Sequence, residues 1–253
     1  TGAGSLTINN PFTIQGTISG AGGFTVNADI TWVSGTMARP LTIGAGQTIS
    51  LNTTGSKVMN ALLAILQNGS LVCNDGAISG SGAISNNGTM TINGNNQLSN
   101  TNTFTNTGTL TKQTGTGTTT MSPNSWSNSG TINVNSGVLR NIAGPSGFTN
   151  TGPINFNNGT WQNDQVFNYN AGSVMSGTGS FINTSTMTLN TSITFPASLV
   201  FSNTGTVTGA GSLTINNPFT IQGTISGAGG FTVNADITWV SGTMARPLTI
   251  GAG

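Results

Sequence analysis

The residues able to do chemistry in this chain are few. Its 253 residues include four acids, five bases and no histidine. The acids are Asp29, Asp75, Asp164 and Asp236; the bases are Arg39, Lys57, Lys112, Arg140 and Arg246. A glycosidase needs two carboxylates facing each other across the scissile bond, about 5 to 10 Å apart. A lyase needs a base poised by a metal or by a second charge, and the commonest general base, histidine, is missing. Zinc would require several Cys or His ligands, but Cys73 is the only cysteine. That cysteine reads as a small buried side chain and can form no disulfide within the chain.

The glycine-rich fragments "SGAGG", "GTGT" and "SGTGS" are not phosphate loops, because no Lys follows them and no helix opens after them. A net charge of +1 gives no basic patch for nucleic acid or for an anionic membrane. The longest apolar run, residues 61–66, is far short of the roughly 20 residues that span a bilayer. The expectation is a protein that is not an enzyme and has no cofactor, no metal, no nucleic-acid partner and no membrane span. The chain opens on Thr with no basic, apolar leader, which suggests that it lies inside a longer precursor.

Repetition dominates the rest of the sequence. Residues 1–46 recur unchanged as residues 208–253, so the chain holds one 207-residue unit and the start of a second. Within the unit a shorter period is marked by Gly16, Gly35, Gly69, Gly88, Gly108, Gly130, Gly152, Gly172 and Gly205. Seven of the nine spacings are 18 to 22 residues; the other two are 34 and 33. Two residues after each glycine the side chain is always apolar, from Ile18 through Leu110 and Val174 to Val207. Four residues before it stand Phe12, Phe104, Trp126, Phe148 and Phe201, with Ile65 and Ile84. Two residues before it Asn86, Asn106, Asn128, Asn150, Asn170 and Asn203 form a polar column. Measured to the next marker glycine, the three acids of the unit lie 6, 13 and 8 residues back, so they form no column.

Between the markers, Phe24, Val26, Ala28, Ile30 and Trp32 alternate with polar residues, the period of a half-buried strand. Short strands, Gly-rich corners and a period of about 20 residues define an all-β fold, a parallel β-solenoid or β-helix with three short strands per rung. Residues 1–253 would form one continuous solenoid, with 9 glycine-marked rungs per unit, or up to 11 if each long interval is two. Stacked Asn side chains would bond along the axis as amides do in cross-β ladders. In the first long interval, "KVMNALLAIL" reads either as added strand or as a short helix or loop packed on the solenoid. A row of hydroxyls follows the marker glycines, at Thr17, Thr36, Ser70, Thr89, Thr109, Thr131, Ser173 and Thr206. Such a row could face ice or a crystalline polysaccharide, but β-branched Thr also simply suits an exposed strand.

The stretches "FTNTGTLTK", "WSNSGTINVNSGVL" and "ISGAGGFTVNADITWVSGTM" resemble rungs of large secreted bacterial β-helix proteins, the group of autotransporter passengers and filamentous-haemagglutinin-like adhesins. The resemblance implies export, an extracellular or cell-surface location, and an adhesive or scaffolding role. The unchanged 207-residue repetition departs from the drifted rungs usual in that group. The resulting expectation is a structural protein, a segment of a long extracellular fibre whose partner is itself, joined head to tail and open to lateral bundling. The alternative is a surface adhesin binding carbohydrate through its Asn and Thr columns.

Overall fold

The computed structural model describes residues 2–99 and 102–251. Among them there is no helix, and every strand pairing is parallel. The chain winds through three faces in fixed order, about 12 turns in all. Face 1 stacks 13 strands, beginning at Leu6–Ile8, Phe24–Val26 and Leu41–Ile43 and ending at Thr243–Met244. Face 2 begins at Phe12–Ile14 and Ile30–Trp32, face 3 at Ile18 and Gly35–Met37. Strands of only three to five residues suffice because each is bonded on both sides by its equivalents one turn away.

One face-1 column shows how sequence becomes packing. Residues exchanging places from turn to turn are Ile84, Phe104, Trp126, Phe148, Phe167, Met187 and Val207, all buried. Their neighbours in sequence, such as Thr105, Ser127 and Thr149, point outward, so the period of two in the sequence becomes inside and outside of the prism. "KVMNALLAIL" is strand, at Lys57–Met59 and Leu63–Ile65, with no helix. Its apolar run looks helical only because both strands and the corner between them are apolar.

The marker glycines stack. A side chain on Gly108 would overlap the carbonyl oxygen of Gly88, and one on Gly130 that of Gly108. These glycines are dictated by close approach of successive backbones at a corner, where Thr109 and Thr131 donate their amides to the Gly88 and Gly108 carbonyls, each at 2.8 Å.

Each long glycine interval is neither one rung nor two. From Gly35 to Gly69 the chain crosses five faces, from face 3 to face 2, and from Gly172 to Gly205 it again crosses five, from face 2 to face 1. The unit therefore makes ten turns plus one face. As a result the two identical segments occupy different faces. Leu6 is on face 1 but its copy Leu213 is on face 2; Phe12 is on face 2 but Phe219 is on face 3. Ile18 is on face 3 and its copy Ile225 is on face 1.

Two sequence expectations fail here. Val174, expected in the inward apolar column, is exposed, and Met175 takes the place opposite Ile154. Ser173 turns inward instead of joining the hydroxyl row. The corner after Tyr169 is two residues longer than the one after its partner Asn150, one before Gly172 and one after it, so a count from the marker glycine falls one position short and exchanges inside for outside.

Candidate functional site

The interior polar groups form two ladders, not one. In the first, at the end of face 1, Asn86 Nδ2 donates to Asn106 Oδ1 at 2.6 Å, Asn106 to Asn128 at 2.6 Å and Asn128 to Asn150 at 2.7 Å. The spare amide protons reach carbonyls of the corner, including Gly130 from Asn128 at 3.1 Å. All four side chains are buried. The ladder is polar: each rung donates toward the higher residue numbers. Its first member, with Ile65 in the position before it, keeps an unpartnered Oδ1.

Asn170 is not part of it. Tyr169 pairs with Asn150 and occupies the inward position, while Asn170 lies outside and accepts from Asn190 at 2.7 Å. The first ladder instead ends on Ser173, whose Oγ accepts from Asn150 at 3.0 Å. Asn203 belongs to the second ladder, at the end of face 3, built from Asn141, Asn163, Asn183 and Asn203 with donor distances of 2.7 to 2.8 Å. Counting back from glycines mixes the two because the marker glycine changes face. The second ladder repeats at 22, 20 and 20 residues, a spacing that would have revealed it.

The aromatic column divides in the same way. Phe104, Trp126 and Phe148 stack on face 1, with centroids 5.8 and 4.3 Å apart. Phe201 stands on face 3, stacked on Phe219 at 5.5 Å, and Phe12 stands on face 2 at the first turn, where it is substantially exposed. Trp161 bridges the columns, 5.3 Å from Trp126.

The charged groups are almost entirely occupied. Lys112 sits in the register position held by Ile92 and Val134 on adjacent turns. Its stem fills the core and its Nζ donates to the Gly94 carbonyl at 2.6 Å and to the Thr114 carbonyl. Lys57 likewise donates to the Thr53 carbonyl. Arg39 caps the carbonyls of Gly22 and Gly4, both at 2.5 Å, and its copy Arg246 caps those of Ser226 and Gly211. Arg140 pairs with Asp164 at 2.5 Å. Thus four cations satisfy carbonyls that the tight Gly-rich corners leave unbonded, and the fifth holds a carboxylate.

Burial pushes the Lys57 and Lys112 ammonium groups below their ordinary value, with Asp75 partly offsetting the effect at Lys57. Burial likewise pushes the Cys73 thiol up to about 12, which leaves it unreactive. At Asp164 burial raises the pKa, but hydrogen bonds from Thr184, Gln162 and Arg140 outweigh it and hold the carboxyl below its ordinary value.

Two shallow grooves contain one carboxylate each. Asp29 lies beside Phe12 and Thr31 and accepts the Thr48 amide at 2.9 Å; Asp75 lies beside Asn96 and Gln97 and accepts the Gly76 amide at 2.7 Å. Among the described residues no three His, Cys, Asp or Glu side chains come together.

Outside, the hydroxyls line up on two faces. Face 2 carries Thr48, Ser70, Thr89, Thr109 and Thr131 in register. Thr36 is on face 3 and Thr206 on face 1, so the row expected from the sequence is interrupted by the same changes of face. Face 1 has its own outward column, which includes Ser85, Thr105, Ser127 and Thr149.

One buried phenol gives a test of the interior. Tyr169 donates to the Ser173 carbonyl at 2.8 Å, and burial pushes its pKa up to about 12 from 10.0. In the unfolded chain it ionises near its ordinary value, while in the fold it keeps its proton. Its stabilising contribution is therefore complete below pH 10 and is lost as pH rises toward 12. The stability difference between the chain and Tyr169→Phe, read from urea midpoints, is expected to be constant from about pH 6 to 9 and to shrink above that. A difference that stays constant to pH 12 would place the phenol in water.

The fold and these ladders define the chain as a parallel β-solenoid with a continuous interior of stacked amides and aromatic rings. Compared with protein-family models, curated proteins and solved structures, it shows no significant match.

Proposed function

We propose that this chain is a segment of a long extracellular or cell-surface fibre, made by head-to-tail stacking of identical 207-residue solenoid units, with no catalytic activity. The observation that carries the reading is the contrast between the two copies of the repeated segment. Trp32 is 0% exposed and its copy Trp239 57%; Ile43 is 0% and Ile250 62%. At the opposite end Leu6 is 37% and Leu213 1%. The same residue is thus a core residue where a further turn covers it and an exposed apolar residue where none does. What covers Ile30 and Thr31 is the strand Thr48–Leu51, the continuation of the same sequence. A following unit, covalently continuous or from a second chain, supplies that strand to Ile237–Trp239 and pairs its open edge. Full burial of an Ile or Val side chain stabilises by about 1.5 to 3 kcal/mol, so joining is driven chiefly by these end residues.

Scarce charge, with every cation bonded to carbonyls or to Asp164, supports a mechanical role. It leaves little for salt to disrupt. Electron microscopy of material containing several units is expected to show filaments one solenoid wide with rungs about 4.8 Å apart. Isolated particles of one unit's length would overturn the reading.

The chain carries its own reporter of joining. Of four Trp, three are buried, and Trp239 alone is exposed at the open end. Acrylamide is expected to quench one Trp component readily in this chain. Extending the chain by the sequence of residues 47–92 should protect that component and raise the urea midpoint. Unchanged quenching would mean that the end surface is not covered by the next rungs.

A second reading, a carbohydrate-binding adhesin, is supported by the outward hydroxyl columns of faces 1 and 2. The ladder asparagines cannot serve it, being buried. Sedimentation with insoluble polysaccharides tests it directly, with retention lost on replacing Thr89, Thr109 and Thr131 by Val.

A further inference from the structure

We infer that in a tandem array of this unit the same surface is presented on the three faces in turn, so that the array returns to register only after three units. The inference rests on the fibre reading above and concerns how one unit seats on the next.

The observation is the change of face between the identical segments. Seven pairs of equivalent strand residues show it, and all shift in the same sense. Leu6, Phe24 and Leu41 are on face 1, and their copies Leu213, Phe231 and Leu248 are on face 2. Phe12 and Ile30 are on face 2, and Phe219 and Ile237 are on face 3. Ile18 and Met37 are on face 3, and Ile225 and Met244 are on face 1. Identical sequence therefore folds into identical strands and corners, displaced by one third of a turn.

The cause lies in the two long glycine intervals. Seven intervals return the marker to the same face: in six of them Gly88, Gly108, Gly130 and Gly152 each stack on the previous marker, as do Gly35 on Gly16 and Gly223 on Gly205, and in the seventh Gly172 lies against the Thr151 carbonyl beside Gly152. The other two cross five faces each, one short of two turns, so the marker falls back by one face at each. A unit with either interval lengthened by one strand, or with both so lengthened, would end on a different face.

The seating is physically permitted because the inward positions of the three faces are interchangeable. Arg39 and Arg246 show this, since each caps the equivalent corner carbonyl, Gly4 and Gly211, although the corners lie on different edges of the prism. The inward strand residues Phe24 and Val26 and their copies Phe231 and Val233 are buried alike on different faces. One unit rises by about 50 Å at the rung spacing of a parallel sheet, so the true axial repeat of the array is about 150 Å.

The test is a single chain of three complete units with Cys73→Ser throughout and Thr149→Cys in every unit. Thr149 points outward on face 1, so its replacement leaves the core untouched. A maleimide gold label is then located by cryo-electron microscopy along the rod. The expected result is a continuous rod whose labels step around the axis by one third of a turn per unit, beyond the rung-to-rung twist measured in the same images. Labels in one line along a continuous rod would overturn the inference and leave the fibre reading standing. Separate beads joined by linkers would overturn both. The unlabelled array provides an independent reading: averaged images repeat at about 150 Å if the faces alternate and at about 50 Å if they do not.

Discussion

Asn128→Asp should convert a stable chain into one that unfolds as pH rises from 4 to 7. Asn128 accepts from Asn106 and donates to Asn150 and to the Gly130 carbonyl, inside a fully packed corner. A protonated Asp keeps the bond accepted from Asn106 and, through its single O–H, one of the two donated bonds. An ionised one donates neither, and it sets a buried charge against two oxygen atoms. The folded-state pKa is therefore raised, and the stability present below the unfolded value of about 3.9 is lost at roughly 1.4 kcal/mol per pH unit above it. By pH 7 the loss is roughly 4 kcal/mol, enough to unfold many domains. Asn128→Leu removes all three bonds at every pH and leaves the Asn150 Oδ1 and Gly130 carbonyl without this donor, at a pH-independent cost of roughly 2 to 6 kcal/mol. Urea midpoints between pH 4 and 8 separate the two variants. Parallel pH profiles for Asn128→Asp and the parent chain would show that the amide faces water.

The second large effect belongs to the corner glycines. Gly130→Val places a branched side chain against the Gly108 carbonyl, and both backbones are fixed by the strands that leave the corner. The chain is expected not to fold through this turn, and even Gly130→Ala should cost roughly 3 kcal/mol or more, in the range where only specific structural damage reaches. Gly23→Ala is the matched control, since a side chain there meets nothing. It should change stability by less than about 1 kcal/mol. Equal thermal midpoints for the two Ala variants would remove close approach as the reason for the glycine period.

The period of the solenoid is legible in the sequence because close approach and inward packing recur at every turn. Gly108, Leu110 and Trp126 read correctly for that reason. The assignment of faces is not legible by counting from glycine, because the count presumes a marker that stays on one edge. Asn203 and Phe201 are misplaced by that presumption, while Asn170 and Val174 are misplaced because the corner at Gly172 is longer than the one at Gly152. The two missed regularities, the Asn141 ladder and the Trp161, Phe181, Phe201 column, run where the marker is absent and meet it only at their last members, Asn203 and Phe201. Lys112 is hidden for a different reason. A lysine in a sequence suggests solvent, and only alignment of its rung with Ile92 and Val134 shows it facing inward.

The unequal filling of the three faces has a mechanical consequence. In the middle of the unit face 1 carries Phe104, Trp126, Phe148 and Phe167, while the corresponding stretch of face 2 carries Leu110, Ile132 and Ile154. A prism with bulkier contents along one edge curves, as a strip bonded from two unlike metals does. Stacked with that edge always on one side, such units would close into an arc. In the proposed array, with each unit set a third of a turn from the last, such bends would point in three directions and cancel, so the rod would stay straight and resist bending equally on every side.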